Sequence, residues 1–202
     1  METAIVHITA PPGTGKTTLM QELKTKFTNF IFIDTDELIG ANGYDPELNR
    51  VFNHKTEKKI AAAYKKHITK RLNEFMSEFE GANICLMGIL STLMHGKIYQ
   101  PKLDSITHKI YLDVPIDRIV KQYVSRAIEI FKYGGAFLNI DVAQVRENCE
   151  IERKEFASSK LNYTFMNKKQ IVSTMAKLNR SYEEKFQHSR VKNQPRKPSR
   201  KP

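Results

Sequence analysis

Residues 10–18 of this 202-residue chain read Ala-Pro-Pro-Gly-Thr-Gly-Lys-Thr-Thr, and no other run limits the fold as tightly. They follow Ala4-Ile5-Val6-His7-Ile8, a short β-branched run, and precede an amphipathic pattern over 16–27. A strand, a glycine turn and a helix opening at a lysine are the context that the pattern G-x-x-x-x-G-K-[ST] requires. Ala10 stands where the pattern has its first glycine, at a position that ends the strand rather than lining the turn. Gly13 and Gly15 can take backbone angles that aim successive N–H groups inward, with no Cβ in the way. The helix N-terminus adds the positive end of its dipole. The expected ligand is a nucleoside triphosphate with Mg²⁺. Lys16 would reach the β- and γ-phosphates and Thr17 would ligate the metal, with Gly13, Thr14, Gly15 and Thr18 completing the contacts. The plain alternative is a glycine-rich turn that binds nothing.

Further apolar runs lie at 30–33, 83–87, 109–114 and 162–166. Continuous runs of this length suit strands covered on both faces. Helical patterns separate them. Over 56–80, Ile60, Tyr64, Ile68, Leu72, Phe75 and Phe79 recur at steps of three and four, which makes one apolar stripe. Other helices are expected at 116–132, at 142–156 behind an Asp141 cap, and at 168–186 behind an Asn167 cap. This alternation predicts a three-layer α/β fold with a five-stranded parallel sheet flanked by helices. Ligands of such sheets bind beyond the carboxyl ends of the strands.

The charge is 33 Lys and Arg against 22 Asp and Glu, formally +11. Six of the basic residues lie in 188–202, which contains no acid; without them 27 face 22, a balance of +5. That stretch has three prolines and one apolar residue, so it reads as a disordered basic tail after a domain spanning 1–187. The tail is compatible with nucleic-acid binding and equally with a solvated chain end. No apolar run approaches the ~20 residues of a membrane helix, and the first residues lack the pattern of a signal peptide. A cytoplasmic protein with no membrane partner is the expectation. Cys85 and Cys149 read as small core residues in a reducing compartment, and the six histidines show no metal-ligand spacing.

A phosphate loop alone does not fix a reaction. The chain has no guanine-reading Asn-Lys-x-Asp, and its third strand ends Leu86-Met87-Gly88 rather than in the paired acids of a motor. The acids stand at the end of the second strand, as Asp34-Thr35-Asp36. With the loop at 10–18, the helical insertion over 37–82 and Tyr-Leu-Asp-Val-Pro-Ile-Asp-Arg at 111–118, these acids resemble the small P-loop phosphotransferases. That group holds the shikimate, gluconate, nucleoside-phosphate and polynucleotide kinases. The resemblance covers about residues 3–187 and implies an acceptor-binding insertion and a lid over 127–157, hinged at Gly134-Gly135.

It also implies roles. Asp36 would take the acceptor hydroxyl and Asp34 would stand nearer Mg²⁺, although both could simply cap the segment at 37–39. A hydroxyl acceptor loses a proton as it attacks phosphorus, so a carboxylate beside it helps; a phosphate acceptor would be repelled. Arg126 is the expected lid cation, with Arg118, Arg146 and Arg153 as further candidates or as parts of solvated helix faces. Arg50 and Arg71 could hold an anionic acceptor. Gly88, with Ser91 and Thr92 after it, falls where the acceptor approaches a strand end, and Asn167 falls where adenine rests. The expected activity is phosphoryl transfer from ATP to a hydroxyl of a small metabolite, a nucleoside or a polynucleotide 5′-end. A nucleoside monophosphate kinase and an ATP-switched nucleic-acid-binding module are the alternatives.

Overall fold

The short β-branched runs pair side by side because each is apolar on both faces and needs cover on both. A computed structural model describes residues 3–40, 46, 51, 56–88, 90, 92–94, 97–99, 104–132, 141–158 and 161–192. Strands β1 (Ile5–Thr9), β2 (Phe30–Asp34), β3 (Asn83–Met87), β6 (His108–Leu112) and β7 (Thr164–Met166) form one sheet in the order β2-β3-β1-β6-β7. Every pairing in it is parallel. Strands β4 (Thr92–Met94) and β5 (Lys97–Tyr99) form a separate antiparallel pair. The sequence reading has no counterpart for that pair, because three-residue strands are too short to show an alternation.

The helices are α1 (Lys16–Lys26), α2 (Thr35–Ile39), α3 (Glu57–Glu78), α4 (Ile116–Lys132), α5 (Val142–Ala157) and α6 (Lys168–Lys192). Alternate strand residues face opposite layers, as the period of a strand dictates. Val6, Ile8, Cys85, Met87, Ile110 and Leu112 pack against Leu19 and Leu23 of α1 and Ile171 and Met175 of α6. On the other face, Ile84 and Leu86 meet Tyr64, Ile68, Leu72 and Phe75, the apolar stripe of α3. Farther along that face Tyr111 meets Phe156 of α5 and Tyr163. Both cysteines are buried and free.

Two caps act as the sequence suggests. Asp141 accepts from the Gln144 N–H at 3.0 Å, and Asn167 and Gln170 satisfy each other's backbone N–H at 3.0 and 2.8 Å. The expected tail is corrected at its start. α6 continues to Lys192, so 188–192 are helical rather than disordered. Once nucleated, a helix propagates until something stops it, and no Pro or Gly intervenes before Pro195. Residues 193–202 lie outside the described residues. So do Arg50, Ser91 and the Gly134-Gly135 hinge.

Candidate active site

Three strand ends open on one side of the sheet, and each delivers part of a cleft of about 630 Å³. β1 delivers the loop, β2 delivers Asp34 and Asp36, and β3 delivers Met87 and Gly88. α4 closes the cleft with Gln122, Ser125, Arg126 and Glu129.

The loop adopts the backbone that its glycines allow. Gly13 has φ +81° and Gly15 φ +84°, both left-handed. A Cβ on Gly13 would lie 3.2 Å from Cδ2 of Tyr123, so α4 packs directly on the turn. Ala10 is fully buried in the layer beneath α1, which explains why a methyl is accommodated where the motif has glycine. Gly15 is the N-cap of α1 and makes no side-chain cap bond, and the first turn carries no acid. The opening N–H groups of α1 therefore have no intrahelical acceptor, and Gly15, Lys16, Thr17 and Thr18 line the cleft. Thr14 turns inward, its hydroxyl donating to the Pro11 carbonyl at 2.9 Å, and does not line the cleft.

Lys16 folds along the loop, and its ammonium donates to the Ala10 and Pro11 carbonyls at 2.6 and 2.8 Å. Burial pushes its pKa down to about 8 against the attraction of Glu152, Asp36 and Asp34. Thr17 and Thr18 line the same cleft. The Asp34 carboxylate caps α2, accepting from the Asp36 N–H at 2.9 Å, and Asp34 also lines the cleft. Burial and the neighbouring Asp34 raise the pKa of Asp36, with Lys16 opposing. Gly88 has φ +140° and presses on Thr35, between the two acids.

Of the expected cations, the structure brings Arg126 into the cleft and leaves others out. Arg146 pairs with Asp117 at 2.5 Å, and Arg153 pairs with Asp113 at 2.8 Å above the Phe165 ring. Arg118 is exposed and Arg71 lies on α3 with Glu74 3.8 Å away; neither lines the cleft. Asn167 is taken up as the α6 cap and does not line it either.

Two groups were not anticipated. Gln122, Ser125 and Glu129 join the expected Arg126 at an i, i+3, i+4, i+7 spacing, a polar stripe on α4 that the sequence does display. Glu152 of α5 has no such signal. Its Oε1 is fully buried with no hydrogen-bond partner among the described residues. Burial lifts its pKa to about 7 although Lys16 pulls it down.

No protein-family model and no curated protein sequence matches the chain. Among solved structures, it is similar to the shikimate kinase of Acinetobacter baumannii in complex with shikimate. The two share 15% identity over 89% of this chain and 94% of that one, with a TM-score of 0.50. The chain has the shikimate kinase fold. A shikimate kinase from Bacteroides thetaiotaomicron aligns at 15% identity and TM-score 0.48, over 89% of this chain and 98% of that one. The tunicamycin resistance protein of Deinococcus radiodurans aligns at 13% and 0.49, over 86% and 94%. The expected P-loop fold with its five-stranded parallel sheet is thus the one observed. Among the described residues no helix is long and apolar enough to cross a membrane.

Proposed function

We propose that this cleft transfers the γ-phosphoryl group of ATP to a hydroxyl acceptor. The observation that carries the proposal is the meeting of Lys16 and Asp36 in one cleft, where burial favours the protonated form of the Asp36 carboxyl. Two left-handed glycines and an uncapped helix N-terminus fit a chain of phosphates. Lys16 would hold the β- and γ-phosphates and Arg126 would face the migrating phosphoryl group. The Thr17 hydroxyl and, through water, Asp34 would hold Mg²⁺, which would supply positive charge to offset the negative charge of the phosphates.

The acceptor hydroxyl would lie against Asp36 with Gly88 beneath it. As its oxygen bonds to the γ-phosphorus, its proton passes to Asp36 and the bond to the β,γ-bridging oxygen breaks, releasing ADP. A raised proton affinity makes Asp36 the better acceptor of that proton. The named neighbour binds shikimate, a polyol acid, so polyols are one acceptor class to test. Arg71, a candidate for holding a phosphate acceptor, stands outside the described cleft.

Incubation with Mg·ATP and a panel of polyols, nucleosides, 5′-hydroxyl oligonucleotides and nucleoside monophosphates tests the reading. ADP formation that depends on a hydroxyl acceptor is expected. Turnover confined to the monophosphates would replace the reading with a nucleotide kinase.

A further inference from the structure

His7 occupies the middle of β1 with only 1% of its surface exposed, and both of its ring nitrogens are bonded. Nε2 lies 3.1 Å from the Gly88 carbonyl oxygen, and Nδ1 lies 2.6 Å from the Tyr163 hydroxyl. A carbonyl can only accept, so Nε2 carries the proton, and a neutral Nδ1 must then accept from the Tyr163 O–H. One tautomer satisfies both neighbours. Burial pushes the pKa of His7 down to about 4, so this neutral form persists across ordinary pH.

The two partners belong to different parts of the fold. Gly88 lines the cleft, its N–H donates to the Ile8 carbonyl at 3.0 Å, and its Cα faces Thr35 at a distance that excludes any Cβ. Thr35 is fully buried between Asp34 and Asp36, so the placement of Gly88 sets the wall beside both acids. Tyr163 stands edge-on to Phe156 of α5 at 4.8 Å, and Phe156 also packs on Tyr111 at 5.2 Å. That aromatic group is the seat of α5, the helix that carries Glu152.

We propose that His7 is a positioning residue: its Nε2–H holds the Gly88 carbonyl, and with it the acceptor wall, while Nδ1 ties that wall to the aromatic seat of α5. The inference rests on the phosphotransfer reading for its kinetic consequence only. A buried polar side chain in the middle of a parallel strand is otherwise a liability, because a valine or isoleucine would pack there without needing two partners. Its bonds lead to a cleft-lining glycine on one side and to the α5 seat on the other. A misplacement of about 1 Å at such a wall can lower a rate by up to ~10²-fold.

The test compares wild type with His7→Phe, which removes both bonds, Tyr163→Phe, which removes one, and His7→Gln, which can donate to Gly88 and accept from Tyr163. His7→Phe should lower the acceptor-dependent rate by about tenfold or more with the affinity for Mg·ATP unchanged. Tyr163→Phe should fall between it and wild type, and His7→Gln should restore most of the loss. Backbone hydrogen exchange at Gly88 and across 34–36 should quicken in His7→Phe by more than exchange within β1 itself. In wild type, imidazole ¹⁵N resonances should report the Nε2–H tautomer without titration between about pH 6 and pH 8.

An unchanged rate with unchanged exchange in His7→Phe would overturn the proposal, as would an equal loss of ATP affinity or an Nδ1–H tautomer. Should His7→Phe fail to fold, Tyr163→Phe decides by the same readings. If wild type phosphorylates no acceptor, the phosphotransfer reading fails by itself, and exchange and tautomer still decide the role of His7.

Discussion

Gly88→Ala gives the sharpest mutational test of how the acceptor wall is built. A Cβ placed on Gly88 would lie 2.0 Å from Oγ1 of Thr35, 3.2 Å from its Cβ and 3.4 Å from its backbone nitrogen. The first distance is far inside contact, and Thr35 is fully buried, so the hydroxyl has nowhere to swing. Overpacking of this kind costs ~1–3 kcal/mol. The φ of +140° adds strain of ~1–3 kcal/mol for a residue with a side chain. Together they predict a loss of about 2–6 kcal/mol. Thr35→Ala removes the Oγ1 but leaves the backbone contact and the φ strain, so it should relieve only the overlap. Urea unfolding of the two single variants and the double variant should therefore show a coupling of ~1–2 kcal/mol in favour of the double. A Gly88→Ala loss below ~0.5 kcal/mol, or strict additivity, would refute the packing argument.

Glu152→Gln tests the buried acid. Glu152 has a native pKa of about 7 against an ordinary 4.5, so the native state holds a proton that the unfolded chain has lost in that window. Wild-type stability thus falls as pH rises from 4.5 to about 7 and levels off above. The amide should gain up to ~3 kcal/mol on wild type at pH 8 and nothing near pH 4, at ~1.4 kcal/mol per pH unit. Denaturation curves that keep the same separation at both pH values would count against a buried, protonated Glu152. Asp36→Asn should slow single-turnover transfer by ~10²-fold or more and leave ATP affinity nearly unchanged. Equal rates would return Asp36 to a helix-start role beside Asp34. Removing 193–202 takes away Arg196, Lys197, Arg200 and Lys201. Any polynucleotide binding should then lose salt dependence, by up to ~0.7 in log–log slope per phosphate contact on a single strand, with turnover of small acceptors preserved. An unchanged slope would mean that the tail contacts no phosphate.

The parts legible in the sequence are those set by neighbours along the chain. The loop at 10–18, the stripe on α3 and the caps at Asp141 and Asn167 depend on residues within a turn or two, so spacing reveals them. The acid pair was legible as a pair, and the cap proved to be Asp34, at the start of the very helix that carries Asp36. What escaped depends on chain segments that meet only in the fold. His7 reads as a strand residue until Gly88 and Tyr163 arrive on either side of its ring. Glu152 is one acid among many on an amphipathic helix until Lys16 is brought near it. Arg146 and Arg153 were candidate lid cations, yet Asp117 and Asp113 engage them. The basic composition of 188–192 suggested a free tail, but composition does not end a helix and Pro195 can.

In the proposed function Lys16 and Asp36 serve one transfer from ATP to an acceptor hydroxyl. ³¹P NMR of the protein with Mg·ATP and the hydroxyl acceptors follows it without assuming which acceptor is right. The account predicts loss of the γ-phosphate resonance of ATP, growth of ADP and a new phosphomonoester signal, all absent in a folded Lys16→Ala variant. ADP with only inorganic phosphate, or the same phosphomonoester from Lys16→Ala, would contradict it.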